Sequence, residues 1–469
     1  MAVVAPFRGV RYNPDKIKHL EDVVTPPYDV ISADAGAELQ EKNPYSMINL
    51  DLRNTSQDDM KDDGRYHRAR SRFDAWQDDA VLIRDKQLSM YLYYITYTHP
   101  SGKQMTRKGL VALVGLAEFS DGIVKPHEKT FPGVISDRLE LMEECQAQFS
   151  QIFSLYSDPD RIVITALEKK REDVPICRVE DNNKNIHTLW RITDQDALTS
   201  VFRFFEDKSV YIADGHHRYT TALDCRRRAL ALNPDLSVDS PYNYVMMYLC
   251  ASEDAGLSVL PTHRLVKWPG SMSADQLVDR MGDGMQISEV KTGSRETLIA
   301  EVINRMDEAE IDTGMPAFGV YHAGEDRAFL LRIRDKTVES TGSLADKPQV
   351  LRELDVVVLS ELLIHDYLKL THKQCVKENL VSYFSDSAQA LDVAVKQSVL
   401  ESGYTPLLFL LNPTRVDQVT GVADSGEIMP HKSTYFYPKI MTGLLINKLV
   451  SDEKIILPGR DGRKTNAPD

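Results

Sequence analysis

One stretch constrains this chain more than any other: VYIADGHHRYTTAL, residues 210–223. Val210–Ala213 is a short apolar run of the kind that forms a buried strand. It stops at Asp214-Gly215, and a helix-forming run continues to about Ala231, closed by Asn233-Pro234. The first-turn amides of a helix lack partners within the helix, so a strand, a glycine turn and a helix start in close succession favour an anion. Gly215 lets backbone approach closely. His216, His217 and Arg218 add side-chain donors for phosphate oxygens, Arg218 bidentately. Asp214, at the strand end, could cap the helix or hold a cation. The plain alternative is a capped helix whose histidines satisfy core carbonyls, but a cap gives two adjacent His and an Arg nothing to do. A metal site using both His is disfavoured, because adjacent residues point about 100° apart on a helix. Arg226, Arg227 and Arg228 spread around the helix and read as solvated surface.

Charge narrows the function classes. The 469 residues suggest two to four domains at roughly 150 each. Lys plus Arg total 56 against 70 Asp plus Glu, a formal charge of −14, which disfavours a protein built to grip nucleic-acid phosphates. The longest apolar runs, near Leu110–Phe119 and Pro406–Leu411, fall short of the roughly 20 residues a bilayer needs. The N-terminus reaches Arg8 before a signal-peptide core could form. Five widely spaced cysteines (Cys145, Cys177, Cys225, Cys250, Cys375) contain no CxxC pair and read as buried free thiols. The expected location is the cytoplasm.

Ser46–Leu50 reads as a strand and Asp58–Asp79 as an exposed helix anchored by Phe73 and Trp76. Leu88–Tyr97, the Ser101-Gly102 turn and Gly109–Phe119 form a hairpin signal, with the tyrosines as cross-strand packing. A helix is expected to open at Ser136 as N-cap and run to Phe149. Ile176–Val179 and Ile186–Ile192 form a second hairpin, Ala197–Phe205 a helix, and Tyr242–Cys250 a buried strand. From about Trp268 helices and strands alternate: helices at 274–281, 295–309, 357–367, 387–401 and 416–423, and strands at 286–291, 317–321, 328–333, 380–384 and 406–411. The tail 459–469 is polar and expected to fray.

Other segments carry reactive side chains. VKPHEKTFPG (124–133) lies between a strand and a helix. It is not HExxH, since Phe131 stands where the second His would be, so zinc hydrolysis is unsupported. Glu128 could serve as a general base and Lys129 as a phosphate contact; an ordinary exposed loop is the alternative. VTPPYDVIS (24–32), with Tyr28 and Asp29 at its tip, and LPTHRL (260–265), with His263 and Arg264, each read as a structural turn. MPHKSTYFYPKI (429–440) has the texture of a ligand-facing loop.

PFRGVRYNP, VVTPPYDVIS, HEKTFPG, ADGHHRYTTAL, LPTHRLV and KSTYFYPK together resemble a large bacterial and archaeal family catalogued as a domain of unknown function, number one thousand and fifteen, over about Pro6 to Asn447. More distantly, the core resembles free-serine kinases of the ParB/sulfiredoxin superfamily. Those enzymes pair a Pro-His-Glu loop, whose Glu is the base, with a DGHHR turn that holds nucleotide phosphates. Pro126-His127-Glu128 and Asp214–Arg218 match in order, and LLFLLNPTRVDQVTGVADSGEIMPHKSTYF echoes the kinases' final strand, helix and lysine-threonine loop.

The resemblance implies a mixed α/β (α+β) fold: a ParB/sulfiredoxin-like nucleotide-binding core at 101–267, an added N-terminal region at 1–100, and a C-terminal α/β domain at 268–458. It implies Glu128 as base and Asp214 as a catalytic residue that helps place Mg²⁺. Gly215, His216, His217, Arg218, Tyr219 and Thr220 would hold the phosphates of ATP or ADP. His127, Lys129, Lys432, Ser433 and Thr434 would meet a small hydroxyl-bearing metabolite. Where the kinases carry Thr followed by Arg-His, Thr434 is followed here by Tyr435-Phe436, which leaves the acceptor open between L-serine and another compound. In an acidic protein, Mg²⁺ would also offset the general repulsion of a nucleotide. The alternative on the same fold is a nucleotide-binding regulator of ParB type, which would carry a basic helix-turn-helix; none is evident. Sulfiredoxin chemistry would need a Cys in the phosphate turn, and the closest thiol, Cys225, lies further along the helix.

Overall fold

The computed structural model describes residues 1–51, 64–282, 284–334, 342–400 and 403–459. The start of the helix expected at 58–79, residue 401 of the helix expected at 387–401, and the tail beyond 459 lie outside these residues. The chain divides into two compact units: Met1–Pro126, Thr130–Leu257 and Pro438–Asp469 form the first, His127–Lys129 and Ser258–Tyr437 the second. The architecture is mixed α/β, as expected.

The first unit is built on a nine-stranded sheet. Its strands are β1 (Val4–Ala5), β2 (Met90–Thr98), β3 (Gln104–Gly115), β4 (Val124–Lys125), β5 (Ile152–Tyr156), β6 (Cys177–Glu180), β7 (Ile186–Ile192), β8 (Val210–Asp214) and β9 (Tyr244–Ala251). They run in the order β4-β8-β5-β9-β3-β2-β7-β6, with β1 on β3. β9 lies between β5 and β3 and is buried at every position, which explains its unbroken apolar sequence. Ile152, Ile212, Met247 and Leu249 of these strands pack with Tyr219 and Ala222 of the helix that follows β8. Each fully buried Ile, Met or Leu among them contributes about 1.5–3 kcal/mol relative to exposure.

Two local expectations change. Ser46–Leu50 is not a strand: Met47–Asn49 is a single 3₁₀ turn, buried at all three residues, with the Met47 amide donating to the Val23 carbonyl. A short apolar run cannot by itself distinguish a strand from any other buried segment. The helix expected to open at Ser136 is α1 (Pro132–Cys145), which begins four residues earlier. Pro132 at its first position has φ preset for a helix and needs no N–H partner there, and the Val134 and Ile135 amides both donate to the Phe131 carbonyl. Both expected hairpins form, at 90–115 and 177–192, but the second strand of the first runs Gln104–Gly115 and stops short of Phe119, which begins a 3₁₀ turn.

The second unit carries a six-stranded sheet of β10 (His263–Pro269), β11 (Met285–Val290), β12 (Ala317–His322), β13 (Arg327–Ile333), β14 (Val381–Phe384) and β15 (Tyr404–Leu410). Their order is β11-β13-β12-β15-β10-β14, and every pairing is antiparallel although helices and strands alternate along the chain. Leu265 of β10 joins the core beneath helices Arg295–Thr313 and Ser387–Leu400. On alternate positions, Arg264 and Trp268 reach the opposite side, to Ser360 and to the Leu368 carbonyl. There the helix that starts at Asp355 widens to π-helical geometry over Leu359–Tyr367. Among the described residues no helix is long and apolar enough to cross a membrane.

Candidate functional site

The phosphate-turn sequence folds as its composition implies. β8 ends at Asp214, Gly215 takes φ +98°, and α2 (His216–Leu232) starts without a side-chain cap. Glycine is required twice over at 215: the positive φ suits no other residue well, and an added Cβ would sit 2.9 Å from the Arg218 guanidinium. β4, which leads into the Pro-His-Glu loop, is the parallel neighbour of β8, with Val124 opposite Val210 and Lys125 opposite Tyr211. Where the chain re-enters the first unit, the Phe131 amide donates to His217 Nε2 at 3.0 Å and the two rings stack at 5.7 Å.

The electrostatics centre on Asp214. Arg218 Nη2 donates to its Oδ2 at 2.7 Å, and Lys439 Nζ donates to its Oδ1. The three side chains are only 11–16% exposed. Burial alone would raise the Asp214 pKa, but Lys439 and Arg218, with His216 beyond them, override it and hold the carboxyl far below the ordinary range. Arg218 also donates to the Gln151 carbonyl. The result is an ion-paired base under the helix start that keeps a net positive charge.

This geometry corrects the reading of Asp214 as an Mg²⁺ ligand. Both carboxylate oxygens already bond cationic groups, and a hard divalent ion needs oxygen ligands away from positive charge. Among the described residues no cluster of three or more His, Cys, Asp or Glu could hold a metal. Asp214 instead positions Arg218 and Lys439. Two further assignments to the phosphates fail at the side-chain level. The buried Tyr219 hydroxyl exchanges hydrogen bonds with the backbone of Ala117, and its ring stacks on Phe119. The Thr220 hydroxyl donates to the His216 carbonyl one turn back. Arg226, read as solvated, is largely covered and grips the Leu116 carbonyl and Glu118.

Glu128, His127 and Lys129 belong to the second unit, where they meet residues 429–434. Glu128 forms a parallel bridge to Met429, whose amide donates to the His127 carbonyl. The Glu128 carboxylate pairs with His431 Nδ1 at 2.9 Å and accepts from the Lys432 amide at 3.4 Å. His127 is buried, with Nε2 3.1 Å from Thr434 Oγ1. Ser433 is buried and its hydroxyl donates to the Pro430 carbonyl, so it shapes the loop rather than facing outward. Lys129 is exposed. Sequence reasoning assigned no role to His431 or Lys439. Both lie in or beside stretches it quoted, MPHKSTYFYPKI and KSTYFYPK, but their partners are 303 and 225 residues away.

A description of the family as proteins of unknown function (DUF1015) matches residues 4–357. No curated protein matches the chain. Among solved structures, a free serine kinase in complex with AMP aligns at 13% identity and a TM-score of 0.32, covering 69% of this chain and 89% of that one. A conserved hypothetical protein from Pyrococcus furiosus aligns at 13% and 0.30, covering 69% and 93%. SbnI with a C-terminal truncation, from Staphylococcus aureus, aligns at 12% and 0.34, covering 73% and 90%. Likeness at that level decides neither fold nor activity. The match over residues 4–357 does decide membership: the chain belongs to the DUF1015 family.

Proposed function

We propose that the protein is a nucleotide-dependent kinase that phosphorylates the hydroxyl of a small metabolite, free L-serine or a related compound, in the cytoplasm. The observation that carries this reading is the Gly215 turn. It is an uncapped helix start on a base of Asp214, Arg218 and Lys439, at the end of a strand parallel to the one that leads into the Pro-His-Glu loop. Phosphoryl transfer asks little covalent work of a protein; it asks for positioning and for positive charge around the transferred group.

In this reading the phosphates of ATP or ADP rest on the amides of His216, His217 and Arg218, with Arg218 and Lys439 supplying charge that Asp214 holds in place. Glu128 accepts the proton of the attacking hydroxyl, and His431 fixes the carboxylate's orientation. The hydroxyl oxygen bonds to the terminal phosphorus, the bridging P–O bond breaks, and the nucleotide leaves one phosphate shorter. Lys129, Lys432 and Thr434 lie beside the acceptor, and His127 holds Thr434. No step is routed through Mg²⁺, because both Asp214 oxygens already accept from cations. The five free cysteines fit a reducing compartment.

The test is incubation of the purified protein with ATP or ADP, with and without Mg²⁺, and hydroxyl compounds headed by L-serine, followed by ³¹P NMR. A new phosphomonoester that disappears in Glu128→Gln is expected. Nucleotide binding with no such product would indicate the regulatory alternative instead.

A further inference from the structure

The motif LPTHRL has no role in the reading above, and its arginine is unusual. Arg264 is 3% exposed. Its Nη1 donates to Ser360 Oγ, whose own hydroxyl donates to the Val356 carbonyl. Nε and Nη2 are buried and have no hydrogen-bond partner among the described residues. No carboxylate pairs with Arg264 there either. One face of its guanidinium lies over the Tyr383 ring, 5.6 Å from Cζ to the centroid. Two residues earlier, Thr262 is also buried with its Oγ1 unpartnered.

The identity of the unused atoms matters. Nε and Nη2 make up one edge of the planar guanidinium, the edge that meets a carboxylate with two parallel N–H···O bonds. A ring over the face and a hydroxyl on Nη1 leave that edge open. A buried cation without a counter-charge is costly and persists where something other than stability retains it. Its surroundings connect it to the candidate base: Tyr383 packs edge-on against His431 at 6.4 Å, and His431 pairs with Glu128 at 2.9 Å. Tyr383 is itself 41% exposed, so the stack that covers the guanidinium face reaches solvent.

We propose that Arg264, helped by Thr262, binds the carboxylate of the acceptor, so that the substrate is a small hydroxy acid or hydroxy amino acid. This rests on the kinase reading for the word acceptor; the anion site itself does not.

The test uses the full chain labelled with ¹⁵N-arginine. The Arg264 Nε–H signal is assigned by its loss in Arg264→Lys and then followed on addition of acetate, L-serine and D-glycerate, with glycerol and L-serinol as partners lacking the acid. At least one acid should move that signal and the carboxyl-free compounds should not. In Arg264→Met, binding of that acid should weaken at least about 30-fold while the melting temperature holds or rises, since a well-packed apolar side chain commonly replaces a buried charge without loss. No response to any acid, an equal response to glycerol, or a melting temperature lowered by more than about 5 °C in Arg264→Met would each overturn the proposal. An acid response without phosphorylated product would sink the kinase reading alone. Product formation indifferent to Arg264 would do the reverse.

Discussion

The Asp214 turn and the Arg264 strand both bury a guanidinium, in opposite electrostatic company. Around Asp214 each cation has an acid: one carboxylate is shared by two cations, and its pKa is driven down by them. Around β10 the pairing is incomplete. Arg264 has no acid among the described residues, and burial pushes the His263 pKa down to about 4. In the same unit, burial and then Glu310 push the Asp355 carboxyl up to about 8, with Oδ2 unpartnered among the described residues. Cations paired with an acid form a scaffold that holds donors still. A buried cation without one is where a ligand can supply the missing charge, and stability is the property it gives up.

The contrast is open to attack in order of expected effect. Asp214→Ala leaves Arg218 and Lys439 facing each other and should cost about 3–5 kcal/mol in chemical denaturation; a loss below about 1 kcal/mol would show the cluster is not the scaffold described. The pH dependence should then differ in sign between the two regions. The depressed Asp214 pKa stabilises the fold above the unfolded carboxylate value of about 3.9, and that contribution fades as pH falls further. The raised Asp355 pKa makes the folded chain keep a proton that the unfolded chain has released. Stability should therefore fall as pH rises from about 4 through about 8. Asp355→Asn should remove that slope, and a slope that survives would remove Asp355 from the argument. Gly215→Ala, forced to φ +98° against Arg218, should cost about 1–2 kcal/mol and weaken nucleotide binding. Thr220→Ala should change nucleotide affinity by less than about twofold, because its hydroxyl serves the helix backbone.

The parts legible in the sequence were those set by neighbours along the chain. Residues 210–223 announced a strand, a glycine turn and a helix start, and all three formed where read. The hairpins at 90–115 and 177–192 were equally plain, since alternation and turn residues are local signals. What the sequence hid was partnership across distance. Lys439 turns Asp214 from a metal ligand into a brace, yet nothing near Lys439 points to position 214. Arg264 reads as a turn residue until its burial is known, because a guanidinium's worth depends on what surrounds it. The helix start at Pro132 rather than Ser136 was a choice between two local signals, and the proline prevailed.

The most direct test of the account is phosphate transfer itself, read by ³¹P NMR with ATP or ADP and L-serine beside other small hydroxy acids. The account predicts a phosphomonoester formed by the native protein and reduced by about two to four orders of magnitude in Glu128→Gln. No phosphomonoester with any acceptor, or full turnover in Glu128→Gln, would contradict it.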